Sequence, residues 1–194
     1  MWRLGGGLPC ALMVRGLAAF TVLGANTFLP LAVTELRGLS LTAAGALVSV
    51  GGVTWTLGSV LQSRLEVRFG EASRVARVRA GMVAVTLGVL VTAVSALGLL
   101  PLECAYAGWL VACLGMGVGY NSNSLLMLSS VRGAAAGRLS GQMANVEVLM
   151  TAVAAGAAGA LVARVVPLST AFTAAFAVVL AASALTWIGV RRLE

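Results

Sequence analysis

The sequence predicts an all-α polytopic membrane protein, with six transmembrane helices arranged as two inverted three-helix repeats. Three observations carry that reading. Of 194 residues, 60% are hydrophobic and only 10% charged, with mean hydropathy +1.01, whereas a soluble domain averages about 45–50% apolar and about 25% charged. Six stretches are long enough to cross the hydrocarbon core, which takes about 20 mainly apolar residues at about 1.5 Å rise each. The basic residues, finally, gather on one side of those stretches.

The first stretch covers residues 10–34 and stops at Glu35-Leu36-Arg37-Gly38. Its basic start, Met1-Trp2-Arg3, resembles a signal peptide only weakly: the apolar run is too long and no A-x-A-like cleavage site follows. The second covers residues 42–65 and the third residues 78–100, ahead of Pro101 and Glu103. The fourth covers residues 104–130, the fifth 139–166 and the sixth 168–190. Connections are short apart from the Arg-rich segment between the second and third. The chain is read as one membrane domain over residues 1–194, with repeats at 10–100 and 104–190. Three spans per repeat is an odd number, so the two repeats enter the bilayer from opposite sides, the plan of many secondary transporters.

Cytoplasmic loops keep an excess of Lys and Arg. All 13 basic residues here are Arg, and eleven of them fall on the side shared by both termini, leaving only Arg37 and Arg164 opposite. Both termini are therefore expected in the cytoplasm. The net charge of +7 is a signature of topology rather than of nucleic-acid binding: Arg64 to Arg79 flank two spans, where anionic headgroups await them. The lipid bilayer is thus the first partner. The chain has no His, which excludes Ser-His-Asp and Cys-His catalytic sets and His-ligated zinc. Cys10, Cys104 and Cys113 lack CxxC spacing and read as apolar packing residues. No metal, cofactor or enzymatic activity is expected.

Strongly polar side chains within a span are costly in lipid and usually face a bundle interior or cavity. They concentrate in the first helix (Arg15, Asn26), the second (Trp55, Gln62), the fourth (Tyr120, Asn121, Asn123) and the fifth (Gln142, Asn145, Glu147). Those four helices are expected to be buried or cavity-lining, and the third and sixth peripheral. Glu147, about 12 Å into its helix, is the only acid deep in a span. It suits either proton coupling, since burial raises a carboxyl's pKa, or an ion pair with Arg15 at similar depth on the same side. Arg15 alternatively snorkels to the headgroups. Asn26, Tyr120 and Asn121 fit cavity lining and interhelical hydrogen bonding equally well. Gln142 and Asn145 are read as packing, and Trp55 as core or as an aromatic wall for an apolar substrate. The many Gly of the second, fourth and fifth helices suit close helix contact.

Gly24-Ala25-Asn26-Thr27-Phe28-Leu29-Pro30-Leu31, followed by Thr34 to Ser40 and Ala44-Gly45, resembles the seventh and eighth helices of major facilitator superfamily transporters of the bacterial drug/metabolite exporter-like branch. Gly58 through Gly70, with Arg64 and Arg68-Phe69-Gly70, resembles that family's cytoplasmic motif loop between helices eight and nine. Gly115-Met116-Gly117 and residues 140–163 resemble helices ten and eleven. The resemblance implies the C-terminal six-helix half of such a fold, whose full members hold substrate between two halves. Asn26 stands where close relatives are expected to carry an acid, and Val67 where the motif has one. The expected function is small-molecule translocation by alternating access, as proton-coupled drug or metabolite efflux across the bacterial inner membrane. A second six-helix half or a second copy is the expected protein partner. The alternative is a truncated or partner-dependent membrane protein that does not itself transport. Met1 just ahead of helix seven of the family pattern agrees with a fragment or half.

Overall fold

The computed structural model describes residues 7–193; the basic start at Arg3 lies outside them. Six helices follow one another: α1 (Gly7–Arg37), α2 (Leu41–Phe69), α3 (Arg74–Ala96), α4 (Glu103–Ser129), α5 (Ala134–Arg164) and α6 (Leu168–Arg191), with a single 3₁₀ turn, Glu71–Ser73, before α3. Five of the six are long and apolar enough to cross a membrane, consistent with a helical membrane protein. The fourth falls short of that apolarity. Its composition explains why: four Gly, two Tyr, two Asn and a Trp dilute its aliphatic residues. Those residues suit a helix surrounded by other helices rather than by lipid.

Local signals set the boundaries. Ser40 caps α2 by accepting from the Ala43 amide at 3.2 Å, the usual task of an N-cap hydroxyl. Gly70, at φ +62°, closes α2 with its N–H on the Glu66 carbonyl, a backbone conformation that a side chain would strain.

The packing order is not the chain order. α2 and α3 pack chiefly on α4, whereas α5 and α6 pack chiefly on α1; α1 meets α4, and α3 meets α6. α1 and α4 bury more residues than any other helix. Small residues make these approaches possible. A Cβ on Gly81 of α3 would stand 2.5 Å from the Gly119 Cα of α4, and one on Gly58 of α2 would strike the Leu114 carbonyl and lie 3.1 Å from Gly117 Cα. Close backbone contact of this kind is characteristic of helix packing in membrane proteins. On the other side of the bundle, Phe28 of α1 meets Phe176 of α6 edge-to-face with centroids 5.0 Å apart.

Burial itself does not follow polar content. α2 and α5, expected to be buried or cavity-lining, are the most exposed helices, with 22% and 11% of their most apolar stretches buried, whereas α3 and α6, expected to be peripheral, reach 50% and 44%; α2 does line a cavity, through Val48, Gly51, Gly52 and Trp55. Burial follows small residues more than polarity: α3 and α6 present Gly81, Gly88, Ala171, Ala175 and Ala182 to their neighbours. Gln142 and Asn145, expected to pack, are exposed on α5.

Candidate functional site

Three helices converge on Arg15. On α4, Tyr120 and Ser124 are four residues apart and so share a face; on α5, Met143 and Glu147 do the same. Arg15 of α1 enters between these two pairs. Its Nη2 donates to Glu147 Oε2 at 2.7 Å, its Nη1 to Ser124 Oγ at 2.8 Å and its Nε to the Met143 carbonyl at 3.4 Å. The guanidinium lies 4.0 Å from the centroid of the Tyr120 ring, within cation–π range. Tyr120 donates its hydroxyl to the same Glu147 Oε2 at 2.7 Å. The Arg15 side chain is 11% exposed and that of Glu147 is 32% exposed. One carboxylate oxygen thus receives two donors, and the Glu147 carboxylate is paired with the Arg15 guanidinium.

The cluster continues toward α2. The Trp55 ring meets the Tyr120 ring edge-on at 5.9 Å, and Trp55 also lines a cavity of about 240 Å³ between α1, α2 and α4. Val22, Leu23 and Asn26 form its α1 wall, and Trp109 and Cys113 its α4 wall. Five of the six expected site residues are therefore joined: Asn26 and Trp55 share the cavity, and Trp55 leads through Tyr120 to Glu147 and Arg15. Asn121 is not among them. It donates to Ser59 Oγ of α2 at 2.8 Å and to the Gly117 carbonyl at 2.9 Å, which makes it a tie between α4 and α2. Asn123 does similar work toward α1, donating to the Ala11 carbonyl at 2.9 Å.

The loop singled out by its Gly and Arg residues is organised by other side chains. Gly58 serves helix contact and Gly70 ends α2, as described; Arg64 is exposed, and Arg68 covers the Phe69 ring at 5.2 Å. The ion-pair network is centred on Glu66, adjacent to Val67. Arg74 reaches Glu66 Oε1 through Nε at 2.9 Å and Nη2 at 2.6 Å, and Glu71 at 3.1 Å. Arg77 pairs with Glu66 Oε2 and reaches Ser122 Oγ of α4 at 3.3 Å. The Arg74 hydrogen bonds hold the Glu66 carboxyl below its ordinary value, and Glu66 in turn raises Arg74. At the opposite end of the molecule, Arg37 ties the end of α1 to the last turn of α3 through the Ser95 carbonyl and to the α3–α4 connection through the Leu100 carbonyl.

Sequence reading had missed Ser124, Glu66, Arg74 and Arg77 as working residues. For Ser124 a signal was present, its four-residue spacing from Tyr120. No protein-family model matches the chain, and no curated protein matches it in sequence.

Proposed function

We propose that the chain is a six-span unit of a facilitator-type transporter, moving a small molecule across the bacterial inner membrane by alternating access, with proton-coupled efflux as its mode. The observation that carries the proposal is the Arg15–Glu147–Tyr120 cluster: one ion pair, joining three helices, whose Tyr120 ring meets Trp55 in the lining of a cavity. Protonation of Glu147 weakens its hold on Arg15 and frees α5 to shift against α1 and α4; deprotonation restores it. Ionisable groups inside a bilayer ordinarily mark such pathways. No covalent step is involved.

The packing order supports the inverted-repeat reading. Exchanging the first three helices for the last three turns α2 and α3 on α4 into α5 and α6 on α1, the pairing the fold has. In that reading α4 is the sixth span, kept from lipid by its neighbours, and both termini lie on the cytoplasmic side with eleven of the thirteen Arg. The exposed faces of α2 and α5 favour a transporter completed by a second six-helix unit, another half or another copy of this chain. Glycines on α5, Gly141, Gly156 and Gly159, have open space where a Cβ would go, and Gln142 and Asn145 on the same helix are poor neighbours for lipid.

Reconstitution of the chain alone in proteoliposomes, with oligomeric state measured in parallel, is the test. Dye flux from a dimer is the expected result. A monomer with no flux would favour the partner-dependent alternative.

A further inference from the structure

We propose that the cavity between α1, α2 and α4 is a binding site for a small neutral molecule with an aromatic or aliphatic body and a single amide-like polar group. The proposal rests on the transport reading above, and it names the substrate class.

Size comes first. A cavity of roughly 150 Å³ accommodates benzene; at about 240 Å³ this one takes a ring with a substituent of a few atoms. Its walls supply Val22, Leu23, Val48 and the rings of Trp55 and Trp109, the apolar and aromatic surface that binds most of a small ligand.

Polarity is concentrated at one residue. The Asn26 side chain makes no hydrogen bond to another described residue, although an amide carries two N–H donors and a carbonyl acceptor. Its backbone carbonyl also lacks the usual i+4 helical donor, because the residue four positions on is Pro30, which has no N–H. Asn26 is part-buried, and a polar group left unpaired against apolar walls is costly. A ligand that offers both a donor and an acceptor repairs that deficit. In the lining of the same cavity, the Trp109 indole N–H has no acceptor among the described residues and packs against Gly51.

Charge decides the class. None of the cavity-lining residues is ionisable except Cys113. Arg15 and Glu147, which meet the far side of the Trp55–Tyr120 contact, are spent on each other. A cation entering here would lose its hydration and find no counter-ion. A neutral ligand meets no such penalty.

The test uses three molecules of nearly one shape: benzamide, its cationic isostere benzamidinium, and the hydrocarbon isopropylbenzene. Binding to the full chain in lipid nanodiscs is followed by tryptophan fluorescence and ligand-observed NMR. Benzamide is expected to bind at least about 10-fold tighter than benzamidinium, and about 3- to 10-fold tighter than isopropylbenzene through the Asn26 hydrogen bonds. Asn26→Leu should erase the preference over isopropylbenzene. Gly52→Leu should abolish binding of both neutral ligands: Gly52 lines the cavity, and a Cβ there meets nothing within 4 Å, so the side chain fills the site without disturbing the helices. Benzamidinium binding as well as benzamide, or neutral binding indifferent to Gly52→Leu, overturns the proposal. Gly52-sensitive binding without flux in vesicles would keep this site and defeat the transport reading. Flux without Gly52-sensitive binding would do the reverse.

Discussion

Arg15 and Glu147 should behave as one energetic unit. Replacing Glu147 with Leu leaves a guanidinium whose side chain is 11% exposed without its carboxylate. Breaking a buried pair from one side costs ~3–5 kcal/mol; Ser124 and the Tyr120 ring still hold Arg15, which places the loss near the lower bound, ~3 kcal/mol. Replacing Arg15 with Met strands Glu147 instead. That side chain is 32% exposed and keeps the Tyr120 hydroxyl, so the loss falls between that of an exposed and a buried pair, ~1.5 kcal/mol. In the double variant no charge remains, and two apolar side chains fill the volume at a cost of ~2 kcal/mol from the hydrogen bonds left unmade at Ser124 and Tyr120. Additivity would give ~4.5 kcal/mol, so the coupling is ~2.5 kcal/mol, within the range for residues in contact. For a chain of this size each kcal/mol moves the midpoint by roughly 2–4 °C. Thermal unfolding in detergent should then show drops of roughly 6–12 °C for Glu147→Leu, 3–6 °C for Arg15→Met and 4–8 °C for the pair together. A double variant that loses the sum of the two single losses would refute the reasoning.

Close helix contact makes a separate prediction. Gly81→Ala puts a Cβ 2.5 Å from the Gly119 Cα and should cost ~1–3 kcal/mol by overpacking; Gly159→Ala, whose Cβ meets nothing within 4 Å, should unfold at the parent temperature in the same melt. Asn121→Leu removes the tie to Ser59 and should lower stability by ~1 kcal/mol while leaving the pH profile of any flux unchanged. Acid sensitivity should reside in the α2–α3 turn. Glu66 has a folded-state pKa below its ordinary 4.5, so its contribution is present above pH 4.5 and is lost as pH falls through the lowered value. Hydrogen exchange around Glu71–Ser73 should rise on acidification below that point in the parent chain, and should already be fast at neutral pH in Glu66→Gln.

Much of the architecture was legible because lipid imposes it. Six apolar stretches became six helices, and most ends fell within a few residues of the Pro, Gly and charged positions that mark them. α5 begins at Ala134 rather than 139, since the Ala-Gly run ahead of Arg138 is itself compatible with helix. Which helices would be buried was not legible from polar content. Gly and Ala on α3 and α6 buy closer approach than any polar residue, and that value depends on what stands opposite. The pairing of Arg15 with Glu147 was one of the alternatives that their similar depth allowed, and the structure has it at 2.7 Å. The Glu66 network was hidden by its geometry: Glu66, Arg74 and Arg77 meet only because Gly70 reverses the chain, and attention to Val67 looked one residue too far along.

The central claim is that Glu147 couples protons to movement of a solute. Proteoliposomes carrying the parent chain or Glu147→Gln, with an imposed pH gradient and a panel of efflux dyes, test it most directly. The parent should accumulate dye against its concentration gradient, and Glu147→Gln should lose that accumulation while still allowing downhill equilibration. Gradient-driven accumulation by Glu147→Gln equal to the parent's would contradict the claim.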